Sequence, residues 1–80
     1  MNRHIALNPT LRDAIEEVGY YSPSYVSNGL QMRLDEIDHD ILKTIWEHGP
    51  MRRGEIELDF ADGGRHATKL LRQKVLVYID

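Results

Sequence analysis

Cysteine is absent from this chain, which removes disulfides, thiolate metal sites and a cysteine nucleophile at once. Apolar runs are short. The longest, Val75-Leu76-Val77-Tyr78-Ile79, is far below the roughly 20 residues that cross a bilayer, so no membrane span is expected. The segment Met1–Leu7 has no apolar core followed by a small-residue cleavage site, which predicts a cytoplasmic protein without a signal peptide. A phosphate-cradling loop is also missing, because Gly63-Gly64-Arg65 lacks the remainder of that pattern. Thr10, Ser22, Ser24 and Ser27 have no base partner nearby in sequence for nucleophilic catalysis. The inventory predicts no enzyme, no cofactor and no metal. Asp38-His39-Asp40 is rich in ligand atoms, but adjacent helical residues point apart, so capping and solvation are expected of it.

What is present suits one small globular domain. The chain has 80 residues, 41% hydrophobic and 29% charged, too few for two self-sufficient cores. An excess of basic residues is missing too, since the net charge is −3. Its distribution is uneven. Residues 1–34 balance, residues 35–62 carry nine acids against Lys43, Arg52 and Arg53, and residues 63–80 carry four cations against Asp80. Such separation points to a polyanion-binding face more than the total does.

Asn8-Pro9-Thr10 starts a helix, with proline at its first position and Thr10 and Asp13 spaced as a capping box. Leu11, Ala14, Ile15 and Val18 form its apolar stripe and Gly19 ends it, which predicts a helix over 10–18. Ser22-Pro23 caps a second, short helix running to about Met32, weakened by Asn28-Gly29. Asp35, Glu36 and Asp38 open a third over 35–48, with Ile37, Ile41, Leu42, Ile45 and Trp46 on one face and Gly49-Pro50 as the stop. Residues 51–61 fit a strand by alternation and a helix by the Ile56–Phe60 spacing. Asp62-Gly63-Gly64 reads as a turn, 65–73 as a helix and 74–79 as a strand.

Leu34-Asp35-Glu36-Ile37-Asp38-His39-Asp40-Ile41-Leu42 resembles the opening of the helix-turn-helix domain of the leucine-responsive regulator family and related winged-helix regulators. Glu47-His48-Gly49-Pro50-Met51-Arg52-Arg53-Gly54-Glu55-Ile56 resembles the passage into the second helix. Arg65-His66-Ala67-Thr68-Lys69-Leu70-Leu71-Arg72 stands at the recognition helix. The resemblance covers residues 34–79. It implies a mainly α domain with a small β element, an N-terminal helical extension over 1–33 and a core over 34–80. Four or five helices and one or two strands are expected. Such domains carry a pair of strands after the recognition helix, whereas this chain offers one. The wing is therefore short, missing or supplied by a partner.

The implied function is sequence-specific binding of double-stranded DNA by a small transcriptional regulator, as a homodimer. Arg65, Thr68, Lys69 and Arg72 share one face and would read the major groove. Arg52, Arg53 and Lys74 would hold phosphates. A second candidate reading unit lies over residues 11–33, with Ser24, Tyr25, Ser27, Asn28, Gln31 and Arg33 on its second helix. Two rivals stand beside DNA binding. One is a protein-interaction module acting through Tyr20, Tyr21, Tyr25 and the acidic stretch 35–62, and the other a DNA mimic built on that stretch.

Overall fold

The computed structural model describes residues 3–79 and contains, in chain order, β1 (His4–Leu7), α1 (Pro9–Val18), α2 (Pro23–Leu30), α3 (Glu36–His48), β2 (Met51–Arg52), α4 (Arg53–Asp59), α5 (Gly63–Arg72) and β3 (Leu76–Ile79). The helices begin and end where side chains satisfy their free backbone groups. Asn8, not Thr10, caps α1, its side chain accepting from the Thr10 N–H at 2.9 Å. Ser22 caps α2. Asp35 and Asp38 form a reciprocal capping box on α3. Gly19 (φ 94°) closes α1 and Gly49 (φ 96°) closes α3, conformations that cost glycine little.

Three strands form, against an expectation of one or two, in the antiparallel order β2-β1-β3. The central strand comes from the segment expected to be a helical extension. His4 lies opposite both Arg52 and Ile79, and Leu7 opposite Leu76. Four residues are too few for a periodic signal, and β1 exists because β3 pairs with it from the other end of the sequence. One strand, β3, follows α5, and its partner β1 comes from before α1. Ile5 and Leu7 face inward and join Leu11, Ile15, Ile41 and Leu70 in one hydrophobic cluster.

Residues 51–61 divide. Met51–Arg52 pairs with β1, while Arg53–Asp59 is helical, with Ile56 fully buried and Leu58 at the surface. Gly63 and Gly64 belong to the first turn of α5, not to the turn before it. The backbone reverses at Asp62 (φ 57°), and Gly63 N–H donates to the Phe60 carbonyl at 3.0 Å. No described helix is long and apolar enough to cross a membrane.

Candidate nucleic-acid interface

Helix α4, the short turn 60–62 and α5 pack closely because position 63 has no side chain. A Cβ there would lie 2.1 Å from the Ile56 carbonyl oxygen. Arg53 reinforces this contact from the first position of α4. Its Nη2 donates to the Gly64 carbonyl at 2.9 Å and to the Thr68 hydroxyl, and its Nε pairs with Glu57 at 3.2 Å. The Thr68 hydroxyl in turn donates to the Gly64 carbonyl at 2.9 Å. Arg53 and Thr68 are therefore committed to holding α4 against α5.

On α5, Gly63, His66, Ala67 and Leu70 face the core, so Arg65, Thr68 and Arg72 lie opposite them. Arg65 is exposed and pairs with exposed Asp62 at 2.8 Å. Such a surface pair contributes only ~0–1 kcal/mol and readily exchanges for another anion. Arg72 is exposed and without an ion pair among the described residues. Lys69, expected at the DNA, turns sideways and binds the carboxylate of Asp38 on α3.

Asp38 is wholly buried. His66 Nδ1–H donates to its Oδ1 at 2.7 Å, while the Asp35 N–H (3.1 Å) and the Lys69 ammonium share its Oδ2. Burial opposes ionisation, but the bonds from Lys69, His66 and Asp35, with the charge of Lys69, outweigh it. They hold this carboxyl below its ordinary 3.8. Asp35, Asp38 and His66 bring ligand atoms within 4.8 Å of one another. The Lys69 ammonium already supplies the positive charge that a metal would bring. Sequence reasoning missed this cluster, although a signal existed. Asp38 precedes Ile41, Leu42 and Ile45 by three, four and seven residues, on the buried face of α3.

Beside α5 runs an open groove of about 670 Å3, whose far wall is β3. Arg3, Arg53, Arg72 and Lys74 line it, and no acid does among the described residues. Arg3 was not expected there. Its guanidinium lies 4.2 Å from the ring centre of Tyr78, which places a cation at the end of the sheet. Lys74 takes a left-handed backbone (φ 62°), and its carbonyl accepts from the Asn8 side chain at 3.0 Å. Arg52 is exposed, and its N–H bonds Glu55 at 2.9 Å.

The rival unit at 11–33 is arranged differently. Tyr21 is buried, with its hydroxyl 2.8 Å from His39 Nδ1, and Ser27 Oγ lies 3.1 Å from His39 Nε2. Burial, with nearby Asp38 and Asp40, pushes the Tyr21 phenol up and keeps it protonated. The two ring nitrogens of His39 are thus each bonded to a hydroxyl, which fixes the imidazole between α2 and the residues before it. Ser24, Tyr25, Asn28, Gln31 and Arg33 remain exposed, with Arg33 their sole cation. Of the three tyrosines proposed as a partner surface, Tyr20 and Tyr25 are exposed. Comparison with protein-family models, curated proteins and solved structures found no match to this chain.

Proposed function

We propose that this chain is a sequence-specific duplex-DNA-binding domain of the winged-helix kind, acting as a small transcriptional regulator, with α5 as its recognition helix. The carrying observation is the groove that joins the exposed face of α5 to β3 through Arg3, Arg72 and Lys74, with no acid among its described lining residues. A polyanion laid along that groove meets cations on both walls, and a helix beside it fits the major groove. Such a domain carries two strands after its recognition helix. Here β3 follows α5, and β1 pairs with it from before α1.

The internal contacts divide the basic residues by role. Arg65 and Arg72 face outward to base edges, where arginine can pair bidentately with guanine. Arg52, Lys74 and Arg3 serve phosphates. Lys69, Arg53 and Thr68 position α5. Two copies on half-sites about one helical turn apart would double the specific contacts.

Fluorescence anisotropy of duplex DNA between about 50 and 200 mM salt tests this reading. Log affinity should fall with log salt, with a slope of roughly −0.9 per phosphate neutralised. Arg52→Gln and Arg3→Gln should each flatten that slope by about 1, while Arg72→Gln should relax specificity at one base position. No binding at the lowest salt would refute DNA recognition. The second reading, a protein-interaction module, would then take its place. It is favoured by Leu58, 87% exposed between the acids Glu57 and Asp59.

A further inference from the structure

A second groove, of about 570 Å3, runs between α1 and α2, on residues that duplex binding does not use apart from Lys74. Leu11, Ala14, Tyr25, Val26 and Leu30 give it apolar walls. Leu11 and Val26 belong to the hydrophobic core, so its floor is fixed. Small-molecule sites have this character: roughly 300–1,000 Å3, mainly apolar, with a few polar groups at the edge. Here the polar groups are Asn8, Thr10 and Asn28, and among the described residues Lys74 is the only charged one in the lining.

Gly29 supplies an independent observation. It lies inside α2, where glycine weakens a helix, and its φ is not positive. A Cβ built there meets nothing within 4 Å, so no close approach requires glycine either. What the missing side chain leaves is open space in this groove.

We propose that the groove binds a small amphipathic carboxylate, its apolar part between α1 and α2 and its carboxylate toward Lys74. The charge of the lining decides the head group. An anionic head group would meet the Lys74 ammonium, which in the absence of DNA faces water, and a cation would meet no acid among the described lining residues.

The test is a titration of the full chain with octanoate, followed through backbone amide chemical shifts and repeated with octanol, which has the same chain length and no charge. Saturable shifts centred on Leu11, Ala14, Gly29 and Lys74 are expected, with octanol binding about tenfold more weakly. Gly29→Leu fills the groove while favouring the helix, and should abolish binding in a protein that melts no lower than the parent. Ala14→Leu fills it from the opposite wall and should do the same. Lys74→Gln should bring octanoate down to the affinity of octanol. Four results would overturn the proposal. They are an absence of saturable shifts at these amides, equal affinity for octanoate and octanol, and octanoate binding that survives both filling variants. The fourth is ligand-free, concentration-dependent shifts of the same amides, which would mark a second copy of the chain as the occupant.

Discussion

Gly63→Ala is expected to destabilise the domain by about 3 kcal/mol and to lower its thermal midpoint by roughly 12–24 °C. The added Cβ would sit 2.1 Å from the Ile56 carbonyl oxygen and 2.8 Å from its carbon. Both are backbone atoms, so no side-chain rotation relieves the overlap. Helix α5 would have to move off α4. That movement would pull Ile56 out of the core and break the Arg53 bond to the Gly64 carbonyl. Gly54→Ala is the matched control. It is also helical, its Cβ meets nothing within 4 Å, and alanine there should stabilise by ~0.5–1 kcal/mol. Thermal melts followed by circular dichroism check both. A Gly63→Ala protein that melts with the parent would mean that α4 and α5 do not approach this closely.

Asp38→Asn should cost about 3 kcal/mol, the lower end of the range for removing one member of a buried charged pair. The amide keeps the shape but turns an NH2 toward donors on His66, Asp35 or Lys69. Lys69, with 41% of its side chain exposed, can swing into water, which limits the loss. The pH dependence has a definite sign. The carboxyl of Asp38 is held below its ordinary 3.8 in the folded protein, so its contribution is complete above that value. It disappears as the pH falls through 3.8 toward the lower folded value. Between neutral pH and about pH 3 the parent should therefore lose more stability than Asp38→Asn. Parallel denaturation curves for the two proteins over that range would show that Asp38 is not held ionised by its neighbours.

The candidate site was partly legible in the sequence. Arg65 and Arg72 stand on the outer face of α5 because Ala67 and Leu70 turn the opposite face inward, a relation contained in helical spacing. Lys69 was read as one more cation on that face. Asp38, 31 residues earlier, draws it away. Arg3 carried no signal, since its place beside the groove depends on β1 pairing with β3 and on the Tyr78 ring beneath it. Gly63 and Gly64 were read as turn residues by composition. Gly63 is required by the distance between two helices, which composition does not encode.

The sequence by itself determined α1, α3 and α5, the stops at Gly19 and Gly49, and the gathering of cations after residue 63. These features rest on interactions within about four residues, namely caps, apolar stripes and left-handed glycines. Only the tertiary structure decided that His4–Leu7 is the central strand, that Arg53–Asp59 is a helix, and that Arg53 and Lys69 are engaged within the fold. Each of those outcomes depends on packing or pairing between residues far apart in the chain. A short segment with weak local preference takes the conformation that its distant partners stabilise.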